Sequence, residues 1–586
     1  MNRDGMYKSF HKRVLSSVSP DVLGTPPKRW TGFAGTSEGS GGIESRAIRP
    51  PHRMTGTPPV LVRGPHLGHP LMRTIVSPFL FVVALILLLS GFPAPVHPAE
   101  ETPPAASAQP SEGDLAGRVV EHRFSNGLEL VMVERHEAPV VSCMIVFKVG
   151  GVNERPGITG VAHLYEHMAF KGTRTLGTKD YKNEAVVLKR LDQAWSDLRT
   201  EQEKGPLADR DRLVEDEKRF RDLQQDGEKY VVPNEIGEIY ERNGAVGLNA
   251  TTGKDLTRYV VSLPSNRLEL WAAIESDRMA HTVLREFYKE KSVVLEERRL
   301  RYDNSPSGRL YEAFLAAAFT AHPYGMPVIG WTSDVEALSR AQTEAFFRTY
   351  YEPGNAVIAI VGDIDSAATI RLVQKYFGSI PAQPRPPGVV TVEPEQDGER
   401  RVEVEYEAEP AVLIGYHRPA FDSPDAAVFD VIDSLLSDGR SSRLYKALVK
   451  EKQLAVNVST SADVPGAQYP NLFLIQATPR APHTAGEMEA AVYTELDRLK
   501  NEPVESRELQ KVLNNLDAAL IRTLDSNSGL ASELSSAQAL AGTWRYVLEN
   551  RRLVANVKAE DVSRVARQYF VKRNRVVATL VKKGNE

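Results

Sequence analysis

The sequence predicts an α+β protein made of two sister domains, with a helical hairpin inserted into the first. Three observations support this: a helix–turn–strand unit occurs twice, a proline-rich stretch separates the copies, and a charged helical segment interrupts the first domain. Of the 586 residues, 42% are hydrophobic and 25% are charged, which excludes wholly disordered, collagen-like and polytopic membrane classes. The formal net charge of −4 gives no electrostatic case for binding nucleic acid.

The repeated unit lies at residues 338–361 and 557–580, at a constant offset of 219. Each copy reads as an amphipathic helix, an aromatic pair, a turn at Asn355 or Asn574, and a β-branched strand. Chance similarity of two common units is the alternative, but a single offset that aligns helix, turn and strand favours duplication. The predicted organisation is a first domain over 118–380, a Pro-rich linker over 381–400 and a sister domain over 401–586.

The residues before 118 are predicted to lie outside both domains. Residues 1–71 are rich in Pro, Gly, Ser and Arg and lack periodicity, so they are either unstructured or upstream of the true start. Three methionines, Met1, Met54 and Met72, are candidate starts. Residues 100–117 are expected to form a flexible leader.

Residues 72–99 predict a signal peptide. Arg73 supplies a short basic region, and residues 79–89 form an apolar run that is too short for a comfortable membrane span. We therefore expect a periplasmic protein exported by a cleaved signal. An uncleaved anchor that leaves the protein facing the periplasm, and a basic organelle transit segment, are the alternatives.

Residues 184–226 predict the inserted helical hairpin. Leu191, Trp195 and Leu198 fall at helical spacing, a charge-dense run follows, and Gly205 with the next proline splits the segment. A solvated spacer is one interpretation of such a charged segment, and a docking arm for a partner is the other.

The clearest chemical pattern is GVAHLYEHMAFKGT at residues 160–173. His163 and His167 are four residues apart, so a helix places them one turn apart on one face, with Glu166 beside them and an apolar stripe opposite. Two such imidazoles can converge on one Zn²⁺, and the carboxylate can reach a water there. Two solvated histidines on a surface helix are the alternative.

A catalytic zinc site needs a third protein ligand and an open position. The single cysteine, Cys143, excludes a thiolate-rich site, which leaves histidine and carboxylate as ligands. The candidate is a helix over Phe287–Arg298, in which Glu290 and Glu297 are seven residues apart on one face. Solvated acids among neighbouring basic residues are the alternative interpretation.

Four motifs give the chain a family resemblance: HLYEH, the downstream VVLEE, LNATTGKD at 248–255 and HPYG at 322–325. Together they resemble the pitrilysin/insulinase family of zinc metallopeptidases, in the branch of one-module bacterial relatives of mitochondrial processing peptidase. The resemblance implies two homologous mixed α/β sandwich domains that form half of a clamshell, with zinc in the first.

The resemblance also implies roles for residues. His163, His167 and Glu297 match the zinc ligands, Glu166 the general base, and Glu290 the acidic helper that orients a ligand. The strand on which a substrate peptide adds as an extra strand matches Leu248, Asn249, Ala250, Thr251 and Thr252.

Two departures from the family pattern qualify this. The gap from His167 to Glu297 is long, which the 184–226 insertion explains. Family members often carry an Arg and a Tyr in text like LREKxGLAY, whereas LVKEKQLAV at 448–456 has Val449 and Val456 there. Since valine cannot hydrogen-bond a substrate, we expect a related second subunit to supply the Arg/Tyr pair, although a homodimer is possible.

The sequence thus predicts a zinc-dependent endopeptidase that hydrolyses short or unfolded peptides in the cell envelope, with Zn²⁺ as its cofactor. The alternative is a non-catalytic scaffold subunit of a processing-type complex. An intact HLYEH favours the peptidase, since a scaffold has no need of Glu166.

Overall fold

The computed structural model describes residues 112–582. The predicted start region 1–71, the predicted signal peptide 72–99 and most of the predicted leader lie outside the described residues. Within 112–582, no helix is both long and apolar enough to cross a membrane.

Eleven strands are present in the described part of the chain: β1 Val119–Arg123, β2 Glu129–Glu134, β3 Val140–Phe147, β4 Val246–Thr252, β5 Thr257–Pro264, β6 Ala356–Gly362, β7 Arg400–Tyr406, β8 Ala411–Arg418, β9 Ala455–Val464, β10 Asn471–Pro479 and β11 Arg575–Lys582.

The α-helices of the first half are α1 Glu112–Arg118, α2 Val161–Met168, α3 Tyr181–Gln202, α4 Arg210–Glu228, α5 Glu235–Arg242, α6 Leu268–His281, α7 Phe287–Arg298, α8 Pro306–Ala318, α9 Thr332–Ala337, α10 Arg340–Tyr350 and α11 Ser366–Phe377. Those of the second half are α12 Pro424–Ser437, α13 Ala485–Asn501, α14 Ser506–Asp525, α15 Asn527–Ala541, α16 Tyr546–Ala555 and α17 Ala559–Tyr569. Helix α7 continues as a π-helical segment, Arg299–Asp303, and a second π-helical segment spans Tyr445–Glu451.

The two sheets share one topology, as the predicted duplication requires. The first sheet has the order β1-β2-β6-β3-β5-β4 and the second β7-β11-β8-β10-β9. Apart from the extra strand β1, the two orders match strand for strand, and the pair β2–β6 and its counterpart β7–β11 are both parallel. The predicted fold class, two related mixed α/β halves, is confirmed.

The duplicated asparagine turns make equivalent hydrogen bonds. The Asn355 side-chain amide donates to the carbonyl oxygens of Tyr350 (2.8 Å) and Lys148 (3.3 Å). Its counterpart Asn574 donates to those of Tyr569 (2.9 Å) and His417 (2.7 Å). In each half the asparagine ties the end of the helix to the neighbouring strand, which explains why both copies carry this residue.

Each half also contributes one helix to the other half's sheet. Helix α8 lies on the second sheet, where a side chain at Gly415 would meet the Phe314 ring at 2.5 Å. Helix α15 lies on the first sheet, where Leu530 and Leu534 pack against Val131, in a cluster that also holds the buried Trp544. The domain boundaries predicted from the sequence do not reveal this exchange, because each helix lies within the predicted boundaries of its own half.

The predicted insertion is a helical hairpin, α3 and α4, joined at a short 3₁₀ turn, Gly205–Leu207. The inner face of the hairpin packs against the first half, so the hairpin is not a solvated spacer. Trp195 packs against Phe220 (ring centroids 5.6 Å apart) and against Tyr288 of α7 (4.9 Å). At its base, Glu184 and Arg285 form a buried ion pair at 2.8 Å. The hairpin therefore supports helix α7.

The predicted linker runs without helix or strand up to β7 and is anchored to the first half. The Glu393 carboxylate accepts backbone N–H bonds from Thr320, Ala321 and His322 at 2.8–3.0 Å. The predicted flexible leader is wrong at its end, because residues 112–117 belong to helix α1.

Candidate metal centre

Helix α2 carries the histidine pair, and its burial follows the pattern that the sequence predicts. Val161, Leu164 and Met168 are fully buried against the first sheet. The first turn of α2 is capped by a side chain that lies a few residues earlier in the chain. The buried Glu154 carboxylate accepts hydrogen bonds from the backbone N–H groups of Gly160 and Ala162, both at 2.8 Å. An ionised carboxylate at this end of a helix interacts favourably with the helix dipole, and the two backbone bonds favour that form, but burial raises the pKa of Glu154 to about 8.

The structure brings His163, His167 and Glu297 together. Each offers a ligand atom, and these atoms all lie within 4.8 Å of one another. His163 Nε2 is 3.8 Å from Glu297 Oε1, and His167 Nε2 is 3.4 Å from Glu297 Oε2. Within residues 112–582 this is the group of histidine, cysteine and acidic side chains that could hold a metal ion.

The donor set and its spacing fit zinc. Ligands about 2.0–2.1 Å from a tetrahedral Zn²⁺ lie roughly 3.3 Å apart, close to the observed histidine–carboxylate separations. Burial, followed by the charges of His167 and Arg301, lowers the pKa of His163 to about 3, which keeps this imidazole in the neutral form that binds metal. The buried Nδ1 of His163 has no hydrogen-bond partner among the described residues.

Glu290 orients the His167 ring by contacting Nδ1, the ring nitrogen other than the one nearest Glu297. Its Oε1 lies 3.1 Å from His167 Nδ1, and its Oε2 lies 2.6 Å from Lys171 Nζ. Burial opposes ionisation of this acid, but the bonds from His167 and Lys171 lower its pKa. Burial also works against the charged form of His167, yet its hydrogen bond to Glu290 and the nearby carboxylates raise its pKa. A carboxylate that fixes the outer ring nitrogen in this way is typical of metal-binding histidines.

Glu166 lies on the same face of α2 and bonds to a different element. The Thr252 hydroxyl donates to Glu166 Oε2 at 2.6 Å. Burial raises the pKa of Glu166, and the Thr252 bond partly offsets this effect. A carboxylate with a raised pKa is suited to take up a proton near neutral pH.

Thr252 ends strand β4, which forms one edge of the first sheet and pairs with β5. The sequence-predicted residues 248–252 lie on this strand: Asn249 and Thr251 are exposed, Leu248 and Thr252 are half-buried, and Ala250 is buried. The unpaired side of β4 within the described residues offers backbone groups to another extended chain.

Val449 and Val456, the two valines that the sequence has in place of an Arg and a Tyr, both lie in the second half. Val449 is on the π-helical segment Tyr445–Glu451 and packs partly against the second core. Val456 is on β9 and is exposed. Neither side chain can donate a hydrogen bond.

Sequence reasoning missed four residues that support the site: Glu154, Lys171, Thr252 in its bond to Glu166, and Arg301. Arg301 Nη1 lies 2.9 Å from Glu297 Oε1. Its position four residues after Glu297 on the same helical stretch is the one local signal that could have indicated it. The contacts of Lys171 with Glu290 and of Thr252 with Glu166 join elements that are distant in sequence, whereas Glu154 bonds to residues six and eight positions later.

Two family models and several curated relatives match this chain. Residues 130–187, which contain the histidine pair, match the family model "Insulinase (Peptidase family M16)", and residues 337–516 match "Peptidase M16 inactive domain". A zinc protease of Helicobacter pylori, PqqE, is 29% identical over 76% of this chain and 89% of its own length. An uncharacterized zinc protease of Bacillus subtilis, YmxG, is 22% identical over 76% of this chain and 94% of its own length.

Solved structures show the same fold. A protease from Helicobacter pylori matches with a TM-score of 0.66 and 27% identity, over 79% of this chain and 99% of that one. The first half of the periplasmic protease PqqL from Escherichia coli matches with a TM-score of 0.58 and 18% identity, over 79% and 92%. The two-sheet fold is that of M16-type peptidases. Both matching models are of peptidase family M16, and the relatives and solved structures support the pitrilysin/insulinase-type family for this chain. The branch within that family stays a prediction.

Proposed function

We propose that this protein is a zinc-dependent endopeptidase that hydrolyses short or unfolded peptides in the cell envelope. The observation that carries the proposal is the convergence of His163, His167 and Glu297 beside Glu166, which is itself bonded to the edge strand β4. A metal-ligand set, a base and a strand that can bind a peptide therefore adjoin one another. The similarity to zinc proteases supports the activity, and the similarity to the periplasmic protease PqqL supports the location.

The side chains have separate tasks in this proposal. His163, His167 and Glu297 would hold the zinc ion. The bound ion would act as a Lewis acid and lower the pKa of a water molecule bound to it. Strand β4 binds the substrate in extended form, so that backbone hydrogen bonds position the peptide with little dependence on its sequence. Glu166 accepts the proton of the attacking water and then donates it to the leaving amine.

The proposal includes a second subunit of the same family. Val449 and Val456 stand where family members often carry an Arg and a Tyr, and neither can bond a substrate. We expect a related chain to supply these groups, with a homodimer as the alternative. Co-purification of a catalytically inert form from the native envelope identifies the partner, and full activity of this chain alone excludes it.

The variant Glu166→Gln tests the peptidase activity. It keeps the shape of the side chain and the zinc ligands but removes the base, so we expect full zinc content and a loss of turnover by several orders of magnitude. Glu296→Gln, an exposed acid next to Glu297, is the matched control and should retain activity. A wild-type protein that binds no zinc after reconstitution contradicts the proposal, and so does a Glu166→Gln variant with undiminished turnover.

A non-catalytic scaffold subunit of a processing-type complex remains the second candidate. The observation that favours it is the apolar pair Val449 and Val456. It predicts that zinc binds without peptide hydrolysis, whatever related subunit is added.

A further inference from the structure

Arg301 is the cation nearest to the third metal ligand. Its Nη1 lies 2.9 Å from Glu297 Oε1, and its side chain is 70% exposed, whereas that of Glu297 is 19% exposed. In the described part of the chain, nitrogens of His163, His167 and Arg301 lie 3.8, 3.4 and 2.9 Å from the Glu297 oxygens, and of these three groups Arg301 carries a permanent charge. The more exposed guanidinium thus contacts a carboxylate that also faces the two imidazoles.

The two oxygens of Glu297 have different neighbours. Oε1 lies 2.9 Å from Arg301 Nη1 and 3.8 Å from His163 Nε2, while Oε2 lies 3.4 Å from His167 Nε2. A carboxylate on a flexible side chain can rotate both oxygens toward water. A guanidinium paired with Oε1 restricts this rotation, so the ion pair keeps the carboxylate turned toward the two imidazoles.

The backbone around Arg301 is also unusual. Helix α7 ends at Arg298 and continues as the π-helical segment Arg299–Asp303, in which the Asn304 N–H bonds to the Arg299 carbonyl oxygen at 2.8 Å. Such π-helical turns are rare in proteins overall, and those that occur are often found at functional sites. Here the change from α to π geometry falls between Glu297 and Arg301.

We propose that Arg301 is a positioning residue for the metal site, which holds Glu297 in its ligating orientation and so raises zinc affinity. The inference rests on the proposed zinc site but not on peptide hydrolysis. Because exposed ion pairs contribute little by themselves, the expected effect is at the lower end of the range for residues that support a metal ligand, about tenfold in zinc affinity.

The neighbouring ion pair provides a matched control. Arg299 bonds to Glu296 through two nitrogens, at 2.9 and 2.7 Å, and both side chains are largely exposed. Arg299→Ala therefore removes the same charge from the same helical stretch without touching a metal ligand. A general effect of lost positive charge on zinc binding would appear equally in both variants.

The experiment measures zinc dissociation constants of the metal-free protein by competition with a chromophoric chelator. We expect Arg301→Ala to bind zinc about tenfold more weakly than wild type, Arg301→Lys to recover part of the loss, and Arg299→Ala to match wild type. The visible spectrum of the cobalt-substituted protein should change in Arg301→Ala only. Melting of the metal-free variants shows whether the fold is retained, and Arg301→Gln serves if Arg301→Ala does not fold.

Three outcomes overturn the inference. One is equal zinc affinity in Arg301→Ala and wild type. Another is an equal loss in Arg301→Ala and Arg299→Ala, which indicates a general charge effect. The third is unchanged zinc affinity with a raised KM, which makes Arg301 a substrate contact. If wild type itself binds no zinc, the proposed function fails as well, so the two failures are distinguishable.

Discussion

The Thr252 hydroxyl donates a 2.6 Å hydrogen bond to Oε2 of Glu166. This bond joins the last residue of the edge strand β4 to the side chain that acts as base in the proposed mechanism. A peptide that adds to β4 would therefore lie beside the strand whose last residue, Thr252, bonds to the base. Glu166 is oriented by the same strand that would orient the substrate.

We expect Thr252→Val to lower kcat about tenfold while leaving zinc affinity unchanged. Valine keeps the branched shape of the side chain but loses the donor, so Glu166 is free to rotate and its carboxylate loses a charge-assisted hydrogen bond. Steady-state kinetics on an unstructured peptide measure the effect. Thr252→Ser, which keeps the hydroxyl, should remain close to wild type, and equal losses in the two variants would argue against a role for the bond.

Removal of the Glu290 carboxylate should weaken metal binding. Glu290 accepts from His167 Nδ1 at 3.1 Å, and the loss of such a partner typically costs 10–100-fold in metal affinity. We expect Glu290→Gln to raise the zinc dissociation constant by about that factor in a chelator competition, with Glu296→Gln as the unaffected control. Zinc affinity that does not change would mean that His167 needs no such support.

Local sequence patterns predict much of this site but not its supporting contacts. The common face of His163 and His167 follows from helical periodicity, which is a local property, and the predicted bounds of α7, Phe287–Arg298, agree with the structure. The bond of Thr252 to Glu166 joins residues 86 apart in sequence, whereas the bonds of Glu154 to the start of α2 span six and eight residues; no helical or strand periodicity encodes either. The exchange of α8 and α15 is of the same kind, because an amphipathic helix does not specify which sheet it covers.

The buried pair Glu184–Arg285 should make the inserted hairpin part of the folded core. Both side chains are 1% exposed and lie 2.8 Å apart, so a neutral partner leaves a buried guanidinium uncompensated. Arg285 retains bonds to three backbone carbonyl oxygens, those of Lys171, Thr173 and Leu176. We therefore expect Glu184→Gln to lower the free energy of unfolding by about 3 kcal/mol, the low end for a broken buried pair.

Urea titration of the metal-free protein measures this change. The control is Glu203→Gln, which alters an exposed pair with Arg199 on the same helix and should change the free energy of unfolding by less than about 0.5 kcal/mol. Similar small effects of both variants would show that the hairpin unfolds without the rest of the first half.

His322 should make stability depend on pH between about 6.5 and 4. Burial lowers the pKa of this buried imidazole to about 4, with Glu393 opposing and Lys254 assisting the shift. Below pH 6.5 the unfolded chain binds a proton that the folded chain does not, so the free energy of unfolding falls as the pH drops toward 4.

For His322→Asn, which keeps a cap acceptor for the Tyr324 N–H, we expect a smaller decrease in stability from pH 7 to pH 5, by about 1–2 kcal/mol. Urea titrations of the metal-free protein at the two pH values measure it. His136, whose pKa is raised by its hydrogen bond to Asp363, is the control, and His136→Asn should not reduce the decrease. An identical pH dependence in His322→Asn and wild type rules His322 out as the cause.

The exchange of helices α8 and α15 should make the two halves depend on each other for folding. Leu530 and Leu534 of α15 are fully buried on the first sheet, and Phe314 of α8 is fully buried on the second. Expressed alone, residues 118–380 expose the surface that α15 covers, and residues 401–586 lack α8. We expect neither fragment to form a cooperative fold, whereas co-expression of the two should give a soluble complex by size-exclusion chromatography. In the full chain, Leu534→Ala should lower the free energy of unfolding by about 2–5 kcal/mol, and Ser528→Ala, on an exposed position of the same helix, by far less. Cooperative unfolding of an isolated fragment, seen by near-ultraviolet circular dichroism, would show that the exchange is dispensable for that half.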